Sequence, residues 1–195
     1  MRKAMSILAC FCLACSLSVG ARAEWEADYG ALMIDAAASG DNAAGERWAR
    51  LRDEKLDALG LGLARVAYSE LLLLARVIHT EAGSYWLPDK WRMAVGEVVL
   101  NRVASVEFPN TLEEVVFQPG QYAGAADREW FCSIVPFRSS VEAAWRLLNG
   151  ERVLKDKSVV FQSTERQGSG TALELRDSLY GSTYFCYSLH PELYA

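Results

Sequence analysis

Glu81 is the residue whose type and position most favour acid chemistry. It follows an apolar helical run over 74–80, and Gly83 comes two residues later. A carboxyl group at the end of such a stripe can lie half in the core and half in a cleft. Lost hydration there raises its pKa, so that the group keeps its proton near neutral pH. A solvated glutamate at a helix end fits the same residues, so the rest of the chain has to decide.

Other familiar catalytic arrangements lack the residues they need. The two histidines are His79 and His190, and His79-Thr80-Glu81 matches only half of the zinc-deaminase pattern, because no Pro-Cys-x-x-Cys follows. No His-Glu-x-x-His is present, and a zinc amidase needs more ligands than this chain offers. Neither Cys132 nor Cys186 lies in a Cys–His protease motif. We therefore expect neither a metal nor a cofactor.

The remaining candidate is the Glu81 carboxylate together with polar and aromatic residues elsewhere in the chain. This combination is typical of enzymes that act on glycosidic bonds. Aromatic rings stack on the apolar faces of sugars, and amides bind hydroxyl and N-acetyl groups. The available aromatic residues are Tyr85, Trp86, Tyr122, Trp130, Phe131 and Tyr184. For each of them singly, packing in the core is the commoner role.

Residues 1–23 have the composition of a secretory signal peptide. Arg2 and Lys3 precede an uncharged apolar run over 4–19, and Ala21-Arg22-Ala23 supplies the small-x-small cleavage pattern. We predict cleavage before Glu24 and export to the periplasm or cell wall, with no membrane span in the mature chain. A lipoprotein site is the poorer alternative, because the position three before Cys15 is not aliphatic.

The predicted mature chain is acidic. The full chain has a formal net charge of −5, and cleavage removes three basic residues and no acid, which gives −8. This charge argues against nucleic acid as a partner, because its binding needs a basic face. A disulfide between Cys132 and Cys186 and a pair of free thiols fit an exported chain equally well. Nothing in the sequence identifies a regulatory protein partner.

Periodicity and capping signals predict the elements that position Glu81. Residues 24–62 form an N-terminal extension with two modest helices, which either docks on the main domain or acts as a spacer. The main domain, 63–195, begins with helices over 63–80 and 89–104 that carry buried apolar stripes. Capping boxes at Thr111–Glu114 and Ser139–Glu142 open two further helices, and Gly150 closes the second. Both capping glutamates are thereby explained without catalysis.

The last third of the chain changes from helical to β-rich character. Residues 158–163 and 183–187 alternate in polarity, and a Gly/Ser-rich stretch separates them. We therefore predict an α+β fold in which a small antiparallel sheet or hairpin lies beside a mainly helical body.

Several motifs occur in an order that resembles a known family. They are Leu74-Ala75-Arg76-x-x-x-x-Glu81-Ala82, Leu100-Asn101-Arg102-Val103, Phe108-Pro109-Asn110-Thr111 and Pro119-Gly120-Gln121-Tyr122, with Asp127 after them. From about Leu71 to Tyr187 the chain resembles the catalytic domain of the SleB/CwlJ-type cell-wall hydrolases, which include the spore cortex-lytic enzymes. The resemblance implies a lysozyme-like α+β domain.

The resemblance also implies an activity and a set of site residues. The activity is cleavage of peptidoglycan glycan strands at the β-1,4 bond between N-acetylmuramic acid and N-acetylglucosamine, typically as a lytic transglycosylase. Glu81 maps onto the essential acid, while Gln121, Tyr122, Asp127 and Tyr184 are candidates for contact with the sugar. Hydrolysis with water, as in a muramidase, and a catalytically weak peptidoglycan-binding module are the alternatives.

The chain departs from the family pattern close to Glu81. Residues 83–88 form a longer loop than usual, and Ala123-Gly124 replaces a hydroxyl residue after the aromatic. Glu97 stands where small apolar residues are usual. Because it lies in mid-helix, we interpret it as a partly exposed or paired helix residue.

Overall fold

Three helices packed against one another form the centre of the helical body. The computed structural model describes residues 28–61 and 65–194. The helices are α3 (Tyr68–Ala82), α4 (Asp89–Val103) and α7 (Arg138–Leu148), and each contacts the other two. They lie close together at Gly96, where a Cβ atom would lie 2.5 Å from a methyl group of Leu147 and 2.7 Å from one of Ile78. A glycine is needed here because a larger side chain would force these helices apart.

Shorter helices connect the central three. They are α5 (Leu112–Val116) and α6 (Arg128–Ser133), with a single 3₁₀ turn at Ala123–Ala125 between them. The predicted start of α5 at Thr111 is confirmed, because the Thr111 hydroxyl caps the helix by accepting a bond from the Glu114 backbone N–H. The Glu114 carboxylate accepts a bond from that same hydroxyl. The predicted Ser139–Glu142 box is wrong. The N-cap residue is Phe137, two residues before the predicted Ser139, and helix α7 begins at Arg138. Glu142 pairs with that arginine instead, at 2.8 Å.

The sheet lies in the C-terminal third, as predicted. Strands β1 (Val159–Ser163), β2 (Thr171–Asp177) and β3 (Gly181–Tyr187) form an antiparallel sheet in the order β1-β3-β2. Strand β1 packs against α4. The prediction of a mainly helical body with a small antiparallel sheet is therefore confirmed. A 3₁₀ turn at Pro191–Tyr194 follows the sheet.

Two N-terminal helices pack on this body. They are α1 (28–39) and α2 (Asn42–Ala58), and Met33 and Ala37 are fully buried in the same core cluster as the apolar side of α3. Of the two roles that the sequence left open for this segment, the contacts fit docking on the body. The predicted signal peptide and its cleavage site, like the predicted boundary at 62/63, lie outside the described residues.

Candidate active site

Glu81 lies in the last turn of α3, at the edge of a narrow groove. Because Val77, Ile78 and Ala82 on either side of it are fully buried, the backbone of Glu81 is fixed while its half-buried side chain lies at the surface of the core. The groove has a volume of about 170 Å³. Its lining residues are Glu81, Trp91, Val95, Gln162, Ser163, Thr164, Tyr180 and Thr183.

The surroundings of Glu81 favour its protonated form. Burial raises the pKa of the Glu81 carboxyl group above its usual value, because the charged form loses hydration. Two weaker influences oppose this, a hydrogen bond from Gln162 with Nε2 and Oε2 3.4 Å apart, and the positive charge of Arg102. The net direction is upward, as the sequence predicted for a carboxylate at the end of an apolar stripe. Such a group can hold a proton and give it to a neighbouring atom.

Arg102 links the helical body to the sheet just behind Glu81. Its side chain is buried, and its Nε donates to the carbonyl oxygen of Val160 at 2.7 Å. Its Nη1 donates to the Tyr122 hydroxyl at 3.2 Å. Burial raises the pKa of Tyr122 to about 12, and the charge of Glu81 acts in the same direction. Tyr122 is therefore a neutral phenol at physiological pH, and the two family motifs that contain Arg102 and Tyr122 meet beside the acid.

The two groove residues that hydrogen-bond to Glu81 were not among the predicted site residues. Gln162, on β1, donates to the Glu81 carboxylate, and the Tyr180 hydroxyl donates to the Glu81 backbone carbonyl. The Tyr180 ring also packs edge-on against Trp91, with ring centroids 5.3 Å apart. A signal for Tyr180 was present, because it precedes Gly181 in a tight turn, and Gly181 has a φ of 88°. Nothing comparable marks Gln162.

The other predicted substrate residues lie outside the groove lining. Gln121 is exposed in a turn, and Asp127 caps α6, its carboxylate accepting a bond from the Trp130 backbone N–H at 3.0 Å. Tyr184 lies on the face of β3 opposite Thr183, and the Arg166 guanidinium lies 5.2 Å from its ring centroid. Contact of these side chains with substrate stays a prediction.

The two cysteines of the main domain are free thiols. Cys132 is exposed on α6, whereas Cys186 is fully buried in β3, where its sulfur lies 3.7 Å from the Thr171 hydroxyl. The candidate disulfide between them is therefore not formed, because one thiol faces solvent and the other faces its neighbouring strand.

The described residues contain neither a cluster of metal ligands nor a helix that could span a membrane. Within residues 28–61 and 65–194, no group of three or more His, Cys, Asp or Glu side chains could hold a metal ion. In the same part of the chain, every helix is too short or too polar to cross a bilayer.

Comparison with known proteins decides the family. A family model described as Cell Wall Hydrolase matches residues 88–186, about half of the chain. The chain belongs to this family. The matched region contains Arg102, Tyr122, Gln162 and Tyr180, and it begins after Glu81.

Individual relatives agree with the family. The spore cortex-lytic enzymes of Bacillus cereus and of Bacillus subtilis strain 168 are each 30% identical to this chain over 82 residues, which is 42% of the chain. The match covers 30% of the first enzyme and 26% of the second, so the chain spans less than a third of the length of these curated relatives.

Solved structures are also similar. The crystal structure of the catalytic domain of the Bacillus cereus SleB protein has a TM-score of 0.49 and 23% identity, and the match covers 62% of this chain and 91% of that one. The catalytic domain of the germination-specific lytic transglycosylase SleB from Bacillus anthracis has a TM-score of 0.48 and 21% identity, covering 62% and 96%.

Proposed function

We propose that this protein cleaves peptidoglycan glycan strands at the β-1,4 bond between N-acetylmuramic acid and N-acetylglucosamine, as a lytic transglycosylase. The observation that carries the proposal is the groove itself, where Glu81 is the one carboxylic acid among the lining residues that the structure describes. The family and the spore cortex-lytic relatives support the cell wall as the substrate class. The predicted export would bring the chain to that substrate.

The chemistry needs only one acid. Protonated Glu81 donates its proton to the glycosidic oxygen as the bond from C1 of the muramoyl sugar breaks, through a state with oxocarbenium character. The resulting carboxylate then accepts the proton of the 6-hydroxyl of the same sugar while O6 bonds to C1. The products are a 1,6-anhydro end and a free 4-hydroxyl, no water is consumed, and Glu81 is protonated again.

The raised pKa of Glu81 fits the first step. A general acid has to hold its proton until the leaving oxygen needs it, and burial provides this here. Hydrolysis with inversion or retention ordinarily uses two carboxyl groups that flank the bond. A groove with one acid in its lining therefore favours the anhydro-forming route over the muramidase route.

Mass spectrometry of digested, purified sacculi tests the proposal. The wild type should release fragments with anhydro ends, which are lighter by one water than hydrolysed ends. Glu81→Gln should release none while its circular dichroism spectrum stays that of the wild type. Fragments of full hydrated mass would contradict the transglycosylase route, and sacculus binding without release would indicate a binding module. Wild-type rates from Glu81→Gln would remove Glu81 from the mechanism.

A further inference from the structure

A group of large apolar side chains stands exposed at one end of the groove. Tyr85 is 85% exposed, Trp86 45%, Tyr180 39% and Leu179 81%. We call Tyr85, Trp86 and Tyr180 the aromatic ledge. Exposed apolar side chains are common singly, whereas a contiguous exposed apolar patch marks an interaction site or a ligand-binding groove.

Contacts between two loops join the ledge to the groove. The Tyr85 and Trp86 rings pack edge to face with centroids 5.1 Å apart. Asp177, at the end of β2, accepts bonds from the backbone N–H groups of Leu179 and Tyr180, each at 2.9 Å. These two backbone bonds and a hydrogen bond from the Trp86 side chain lower the pKa of Asp177. Since Tyr180 also lines the groove, the ledge continues the surface that holds Glu81.

The loop that presents Tyr85 and Trp86 is fixed from beneath. Arg92, only 5% exposed, donates to the carbonyl oxygens of Ser84 and Leu87, both at 2.9 Å. Leu87 itself is 2% exposed and fills the core position of the loop. The two aromatic residues between these anchors are therefore held outward. Holding them there in advance lowers the entropy cost of binding a ligand to them.

We propose that the aromatic ledge is a sugar-binding subsite, which stacks on a pyranose ring of the glycan strand beyond the bond that Glu81 cleaves. The inference rests on the proposed function, because it places a further part of the same strand. Rigid aromatic faces suit the apolar face of a neutral sugar ring. Asp177, which bonds to the Trp86 side chain and to the Tyr180 backbone, would repel the carboxylates of a stem peptide and so favours the glycan as the ligand.

The loop that carries Tyr85 and Trp86 lies outside the region that matches the family model, because that match begins at residue 88. The ledge would therefore add a contact with the strand from outside the matched region. It adds binding without adding a group to the chemical step.

Glycan binding, measured in a variant that cannot cleave the strand, tests the aromatic ledge separately from catalysis. The full chain carrying Glu81→Gln is titrated with β-1,4-linked N-acetylglucosamine hexamer and dimer, by calorimetry. Adding Tyr85→Ala or Trp86→Ala should weaken hexamer binding roughly three- to tenfold, the effect of one lost aromatic contact, and should leave dimer binding unchanged. Trp86→Phe keeps a ring and should retain most of the affinity even though it loses the bond to Asp177.

A matched control lies at the other end of β3. Leu189 is 64% exposed, and the seven residues of β3 separate it from Tyr180 by roughly 20 Å at about 3.3 Å per strand residue. Leu189→Ala in the same background should bind the hexamer like its parent. Thermal unfolding checks that each variant folds, and Tyr85→Ala is the decisive variant because so little of its side chain is buried.

The outcomes separate the ledge from the proposed function. If Tyr85→Ala and Trp86→Ala bind the hexamer as tightly as their parent does, the inference that the ledge binds sugar is wrong, even if the wild type cleaves sacculi. If the wild type releases no fragments but both variants lose binding, the proposed function fails and the ledge stands. If sedimentation shows that the variants change the oligomeric state and not glycan affinity, the surface is for self-association and the inference is wrong.

Discussion

For the single residue, the proposed chemistry depends on how the proton of Glu81 is held. Burial raises the pKa of its carboxyl group, while Gln162 and the charge of Arg102 lower it, and burial has the larger effect. A group whose pKa is raised in the folded protein stays protonated at higher pH than a free glutamate. The rate of a reaction that starts from the protonated acid should therefore fall as pH rises through that raised pKa.

Replacing Gln162 should move this pH dependence. Gln162→Leu removes a hydrogen bond that stabilises the carboxylate, so the pKa of Glu81 should rise further. We expect the basic limb of the profile of kcat/KM against pH, measured on sacculi, to move to higher pH. Gln167→Leu, an exposed glutamine of the β1–β2 loop, is the matched control and should leave the limb in place. If the basic limb of the pH profile of Gln162→Leu is unchanged or moves to lower pH, this account of the Glu81 pKa is wrong.

Local patterns made Glu81 predictable but left its partners hidden. Glu81 lies at the end of an apolar helical stripe and just before Gly83, so the whole signal lies within one short segment. Gln162 and Tyr180 reach Glu81 across sequence separations of 81 and 99 residues. Which polar residue of a strand arrives beside the acid depends on strand order and register, and helical periodicity carries no information about either.

At the scale of the element, polar side chains on α4 fix the position of β1. Glu97 accepts bonds from the backbone N–H groups of Val153 and Leu154, at 2.6 and 2.9 Å. One turn later, Asn101 donates to the carbonyl oxygen of Val159 at 3.0 Å, and Arg102 donates to that of Val160. Buried polar groups of this kind hold an otherwise unpaired backbone in one arrangement. They set where β1 begins, and hence where Gln162 lies.

Glu97→Leu should therefore loosen the segment that leads into β1. The substitution leaves two backbone N–H groups without an acceptor, at a cost of about 2–6 kcal/mol in the free energy of unfolding. Glu97→Gln keeps an acceptor oxygen of the same shape and should lose much less. Urea unfolding followed by circular dichroism measures both. Equal stability of the two variants would show that these bonds do not hold the segment.

The interpretation of Glu97 as a paired helix residue is confirmed, with backbone groups as its partners.

The elements themselves differ in how far the sequence predicts them. Helices α3 and α4 carry long apolar stripes, and both were predicted. The helix predicted over 89–104 is observed at Asp89–Val103, whereas the one predicted over 63–80 begins five residues later, at Tyr68, and ends at Ala82. Strand β2 was not predicted, because it is an edge strand whose residues alternate between half-buried and exposed, and it becomes a strand only by pairing with β3. The α7 box failed because the backbone of Phe137 is already extended and donates to His79, which starts the helix at Arg138.

At the scale of the whole molecule, the N-terminal helices share the core of the main domain. The N-terminal helices make close contacts with the main domain, and glycines make these contacts possible. A Cβ atom on Gly30 would lie 2.6 Å from the Trp145 ring, and one on Gly45 would lie 2.1 Å from the Tyr68 ring. Tyr68 is the first residue of α3, the helix that ends with Glu81, and its hydroxyl donates to the Asn42 side chain at 3.2 Å. We therefore propose that residues 28–61 fold as one unit with the catalytic domain.

Gly45→Val tests whether residues 28–61 and the main domain fold as one unit. The added side chain cannot fit against the Tyr68 ring, so α2 or α3 must shift, at a cost of about 1–3 kcal/mol or more. Ala43→Val is the matched control, because it adds bulk to an exposed position of the same helix and should cost only a few tenths of a kcal/mol. If the segment shares one core with the domain, calorimetry should show a single transition that Gly45→Val moves as a whole, by several degrees. A small early transition that alone responds to Gly45→Val would mean that the N-terminal helices unfold separately and that the support for Glu81 comes from the main domain without them.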